Sequence, residues 1–153
     1  MKKRTRMILI ALICLNLAFI WGNSMLDREH SSEMSDIVVE LVKKVIGKTQ
    51  QSVQQPSEGG IDLSNLVRKG AHISEFFTLA LLLGLFIDKS GVQRLIYLAF
   101  AGMSAALIDE TIQLFTGRGS QVSDVWIDLS GFALGTIIAT IIVVSSRRHE
   151  KTR

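Results

Sequence analysis

Residues 7–25 contain no charged side chain, and residues 93–108 contain only Arg94. A soluble domain of 153 residues interrupts its apolar positions with charge every few residues, at the period of a helix or a strand. Runs of this length are what a hydrocarbon layer roughly 30 Å thick asks of a helix that rises about 1.5 Å per residue. Backbone groups in lipid must also be hydrogen-bonded within the structure, which is why such runs are read as helices. The expected fold class is therefore all-α, an integral membrane bundle of about four transmembrane helices.

Composition is consistent with that reading. The chain is 48% hydrophobic with one proline and one cysteine, which excludes a disordered chain and an intramolecular disulfide framework. Beyond the first run, spans are expected over 70–87, 95–115 and 125–144, joined by the short connections 88–94 and 116–124, so neighbouring helices run antiparallel. The organisation is an N-terminal anchor (1–26), an extracytoplasmic loop (27–66), a three-helix core (67–145) and a basic tail (146–153). A cleaved signal peptide is disfavoured for the first run, because Ile20-Trp21-Gly22 makes a poor cleavage triplet. Asn16 within it is expected to hydrogen-bond a neighbouring helix, and Trp21 and Trp126 to sit in the outer aromatic belt.

In the loop, Met34, Ile37, Val38, Leu41, Val42, Val45 and Ile46 recur at helical spacing opposite Glu33, Asp36, Glu40, Lys43 and Lys44. They predict an extracytoplasmic amphipathic helix that lies along the membrane surface or packs on its own domain. The net charge of +3 is a topology signal and does not point to nucleic acid. Lys2, Lys3, Arg4 and Arg6, then Lys89 and Arg94, then Arg147, Arg148, Lys151 and Arg153 all fall on one side of a four-span chain. That side is expected to be the cytoplasm, with both termini inside.

Polar residues crowd the other side. His72 and Glu75 open the second span, Asp109, Glu110 and Gln113 close the third, and Asp124 and Asp128 open the fourth. Because successive helices reverse direction, these three sets meet at one face of the membrane. His72 and Glu75 are three apart, Asp109 and Gln113 four apart, and Asp124 and Asp128 four apart, so each pair shares a helix face. These faces are expected to point into the bundle, with Leu98 and Phe100 of the third span turned to lipid. Gly131 and Gly135 form a small-residue stripe for close helix packing. Each group also has a plainer role: Asp124 and Ser123 suit a helix N-terminus, Lys69 and Arg118 suit lipid-phosphate anchoring, and His72 with Glu75 suits a structural pair. Two acids ending one span, two starting the next and a His/Glu pair beside them exceed what anchoring requires, and buried ionisable groups of this kind define a site.

Arg68-Lys-Gly-Ala-His-Ile-Ser-Glu-Phe-Phe77, Asp109-Glu-Thr-Ile-Gln-Leu-Phe-Thr-Gly-Arg118 and Asp124-Val-Trp-Ile-Asp-Leu-Ser-Gly131 with Gly135 resemble the VanZ-like family of small bacterial membrane proteins. The resemblance implies a bundle of about four helices in the plasma membrane, typically of Gram-positive bacteria, tied to the cell envelope and to teicoplanin resistance. It carries over to Lys69, His72, Glu75, Asp109, Glu110, Gln113, Arg118, Asp124, Asp128 and Gly131. This chain departs from the family pattern at Thr116, where a proline often stands, and at Asp128, where an amide often stands.

Two functions fit these residues. One is binding of, or action on, an envelope lipid, headgroup or cell-wall precursor at the outer leaflet, which would influence glycopeptide susceptibility. In that reading His72, Glu75, Asp109, Glu110 and Asp128 are candidate acid–base groups, and Lys69, Gln113, Arg118 and Asp124 are candidate ligand binders. Arg118 is expected to fold inward over the acids, so that Arg118→Lys inserts normally but functions poorly. The other is a non-catalytic module that modulates a partner membrane protein. A carrier or channel ranks third, because the inner halves of the spans are apolar. A divalent cation on Asp109, Glu110, Asp124 and Asp128 is a weaker reading, since these carboxylates have no set ligand spacing. The residues name no cofactor and no oligomeric state.

Overall fold

The computed structural model describes residues 2–25, 63–117 and 122–151, together with Ile37, Glu40 and Lys44. The described residues form four helices and no strand: α1 (Lys3–Ser24), α2 (Leu63–Phe86), α3 (Gly91–Phe115) and α4 (Val122–Lys151). Their membrane-competent stretches are 22, 21, 25 and 27 residues long. The shortest of these still rises about 30 Å, the thickness of a hydrocarbon core. The amphipathic helix expected near 34–46 lies outside the described residues, except that Ile37, Glu40 and Lys44 are helical and exposed.

Exposure is inverted relative to a soluble protein. Leu15, Phe19, Leu95, Phe100, Phe115 and Ile141 are largely exposed, whereas Asp109 and Asp128 are completely buried. Lipid is the solvent that makes this arrangement favourable: the apolar faces stay in hydrocarbon and the ionisable groups are withdrawn from it. Leu98 corrects the expected lipid face of α3, because it is buried with Phe76, Leu79 and Ala105 while Phe100 is exposed. Leu98 precedes Asp109 by three turns of about 3.6 residues, which puts it on the inward stripe. Trp126 is exposed at the start of α4, and Trp21, near the end of α1, is partly buried and packs against the core. The Asn16 carboxamide oxygen is buried without a hydrogen-bond partner among the described residues, so the interhelical bond expected of it is not formed through that atom.

The most extensive packing joins α2 to α4. A Cβ at Gly131 would collide with the Ile73 carbonyl oxygen, and one at Gly135 with the Phe77 carbonyl oxygen. Farther along, Gly84 lies against the Ala139 side chain. The contacts ascend together along both helices, so α2 and α4 run parallel, with their backbones brought close by the small-residue stripe. Gly102 of α3 serves the ring of Phe132 in the same way.

The opposite end of the bundle from the acids is basic. The Arg6 guanidinium stands 5.4 Å from the Phe86 ring centroid, and Arg147 pairs with Asp88 at 3.3 Å. Buried Arg94 donates from Nη2 to the Gly84 carbonyl at 2.7 Å, satisfying a carbonyl in the last turn of α2 that has no partner along its own helix.

Candidate functional site

The acidic end is assembled from all four helices. α1 ends there with Asn23 and Ser24, α2 brings Arg68, His72 and Glu75 early in its course, α3 ends with Asp109, Glu110 and Gln113, and α4 begins with Asp124 and Asp128. His72, Glu75, Asp109, Gln113, Asp124 and Asp128 are all buried, as the spacing of each pair predicts, and Glu110, which belongs to no such pair, is buried with them.

Asp109 is partnered at both carboxylate oxygens. Its Oδ1 accepts the Ser24 hydroxyl at 2.5 Å, and its Oδ2 accepts Nε2 of Gln113, one turn later, at 2.8 Å. Nε2 of Gln113 also reaches Oγ of Ser24 at 3.4 Å, closing a small network between α1 and α3. Asn23 donates to Oε1 of Glu75 at 3.0 Å, which ties α1 to α2. Glu75 and His72 therefore share a helix face but engage different partners.

Asp128 has a different environment. Its Oδ1 lies 3.2 Å from Nδ1 of His72, and the same nitrogen is 3.8 Å from Oδ2 of Asp109. Neither approach has hydrogen-bond geometry: Nδ1 of His72 and both oxygens of Asp128 are buried without a hydrogen-bond partner. The contacts are ionic in distance and undirected in angle. Oε1 of Gln113 is likewise buried and unpartnered.

At the rim, Arg68 reaches Asp124 at 3.5 Å. Asp124 lies in the first turn of α4, where its charge also meets the positive end of the helix dipole. Lys69 is partly buried and has no ion pair or hydrogen bond among the described residues, because the helix turns Arg68, not Lys69, toward α4. Arg118 lies outside the described residues.

Asn23, Ser24 and Arg68 are the members that sequence reasoning missed. The alternation of helix direction that gathers the acids also places the end of the first span with them, so the polar pair Asn23-Ser24 closing an apolar run was the available signal. Thr116 adds a further tie, since its hydroxyl donates to the Ser24 carbonyl at 3.1 Å where the family pattern often has a proline without that group. Thr116→Val is expected to lower stability by about 1 kcal/mol through loss of this hydrogen bond, read as a lower melting temperature in detergent with unchanged helix content.

Together these features define a multi-pass, all-helical membrane protein with a buried acidic and histidine cluster where its helix ends meet. It belongs to the VanZ/LLP1 family, whose model matches residues 7–143. No curated protein and no solved structure matched the chain.

Proposed function

We propose that the chain binds, or acts on, the headgroup of an envelope lipid or cell-wall precursor at the outer leaflet, and through it influences susceptibility to glycopeptides of the teicoplanin type. The observation that carries this reading is the concentration of buried ionisable groups from α2, α3 and α4 at one end of the bundle, closed by Asn23 and Ser24 of α1, with Arg68 and Lys69 beside them. A site at a helix end meets headgroups and not acyl chains, and cations at its edge suit phosphate oxygens. His72 and the carboxylates of Glu75, Asp109, Glu110 and Asp128 offer proton acceptors and donors within reach of such a headgroup.

The small-residue stripe of Gly131 and Gly135 is covered by α2 and so is not offered to a partner membrane protein.

The test is a profile of envelope lipids and cell-wall precursors in cells with and without the protein, repeated with Glu75→Gln and Arg68→Ala at equal abundance. A species that accumulates only when the protein is absent or carries either substitution would support the proposal. Unchanged profiles and unchanged susceptibility for both variants would remove it.

The orientation has its own test. With Cys14 replaced by Ser, a cysteine placed at Ser145 or in the connection near Lys89 should react with a membrane-impermeant maleimide only after the cells are opened, whereas one placed at Gln51 should react in intact cells. The reverse pattern would invert the topology and move the site to the cytoplasmic leaflet.

A further inference from the structure

We infer that His72, Asp109 and Asp128 form a binding site for one divalent transition-metal ion of the Mn²⁺ or Zn²⁺ type, with the Gln113 carboxamide oxygen as an additional ligand. This ligand set includes an imidazole and differs from the all-carboxylate set of Asp109, Glu110, Asp124 and Asp128.

One ligand atom from each of the three residues lies within 4.8 Å of the other two, and all three residues are buried. Two ligands held about 2.1 Å from a metal at angles near 90–110° stand roughly 3.0–3.4 Å apart. The 3.2 Å between Nδ1 of His72 and Oδ1 of Asp128 falls in that range, and the 3.8 Å to Oδ2 of Asp109 needs only a small side-chain adjustment.

The bonding inventory points the same way. Asp128 is completely buried, yet neither oxygen has a hydrogen-bond partner, and Nδ1 of His72 beside it also has none. Unmet acceptors on a buried carboxylate are costly, and an imidazole approached by carboxylates without hydrogen-bond alignment is placed as a metal ligand would be. Oε1 of Gln113 is a further buried acceptor without a partner, on the residue that already holds Asp109.

Charge adds an independent argument. Glu75 and Asp109 act on the same imidazole as Asp128, and Glu110 and Asp124 act on Asp128 from α3 and α4. Of the two basic residues described at this end, Arg68 is engaged by Asp124 at the rim, and Lys69 makes no ion pair with the buried acids among the described residues. An ion of charge +2 would balance Asp109 and Asp128 in a region where uncompensated charge is expensive. One imidazole with carboxylate and amide oxygens suits Mn²⁺, Fe²⁺ or Zn²⁺, and the nitrogen ligand disfavours Mg²⁺ and Ca²⁺. Ser24 and Gln113, which hydrogen-bond Asp109, would orient that ligand.

The test uses the full chain purified in detergent, stripped with EDTA and freed of the chelator. Mn²⁺ is titrated while the electron paramagnetic resonance signal of the free aqueous ion is followed, and Zn²⁺ is then added as competitor. The expected result is one Mn²⁺ per chain, displaced by Zn²⁺, with nitrogen modulation from a coordinated imidazole that disappears in His72→Gln. Asp128→Asn should weaken Mn²⁺ binding at least about tenfold, while Asp88→Asn, at the opposite end, should leave it unchanged.

The inference is overturned if the parent binds no Mn²⁺ or Zn²⁺ at about 1 mM, a weak limit for a specific site. It is overturned equally if bound Mn²⁺ shows no nitrogen modulation. Should Asp128→Asn fail to fold, the stoichiometry and modulation of the parent decide the question alone. The headgroup proposal is separable: altered lipid profiles in the Glu75 and Arg68 variants of a parent that binds no ion would leave that proposal standing and remove the metal.

Discussion

Gly131→Ala is expected to disrupt the bundle although it adds only a methyl group. The new Cβ would meet the Ile73 carbonyl oxygen and Cα, which are backbone atoms of a helix and cannot move aside by changing rotamer. Relief requires separating α2 from α4, the pair with the most extensive packing. Overpacking typically costs 1–3 kcal/mol, and a rigid neighbour puts this case at about 3 kcal/mol or above. The measurement is the thermal unfolding of purified protein in detergent, together with abundance in the membrane. Gly70→Ala is the matched control, since a Cβ there meets nothing within 4 Å, and its melting temperature should be unchanged or raised. Equal behaviour of the two variants would show that the α2–α4 contact is looser than described.

The second large effect is expected at Asp109. Replacement by alanine strips the acceptor from the Ser24 hydroxyl and the Gln113 amide, both buried, and opens a void between α1 and α3. Each stranded donor costs about 1–3 kcal/mol, so Asp109→Ala should lose several kcal/mol and much of its abundance. Asp109→Asn keeps the shape and one acceptor oxygen, and its melting temperature should fall much less. The pair separates structure from function. An Asp109→Asn protein of near-parental abundance that no longer alters lipid profiles or glycopeptide susceptibility would place the carboxylate in the site, whereas full activity would reduce Asp109 to a structural group.

Much of this architecture was legible because membrane helices write their positions in uncharged runs, and because reversal of direction at each short connection tells which helix ends meet. His72, Asp109 and Asp128 were found that way. Element ends were less legible: α2 begins at Leu63 and α4 runs to Lys151, well outside the apolar stretches, since a helix need not stop where hydrocarbon does. Leu98 was misplaced because an apolar residue on a membrane helix suits lipid and core equally, and only its register with Asp109 distinguishes the two. Asn23 and Ser24 look in sequence like the ordinary polar margin of a span, and their role depends on which acids lie across from them. The preference for Arg68 over Lys69 at Asp124 is a matter of helix rotation, which two adjacent basic residues do not reveal.

The glycine seam joins α2 to α4, helices separated in the chain by all of α3. During synthesis the first three spans can gather with the Ser24–Asp109–Gln113 and Asn23–Glu75 contacts already made, because those contacts lie within α1, α2 and α3. The face of α2 carrying Ile73 and Phe77 then remains open, and His72 waits without the carboxylate of Asp128. The last span to enter the bilayer completes both the helix packing and the polar cluster, so a chain halted before α4 would hold the Ser24–Asp109–Gln113 and Asn23–Glu75 hydrogen bonds and neither the main seam nor the full set of charged groups.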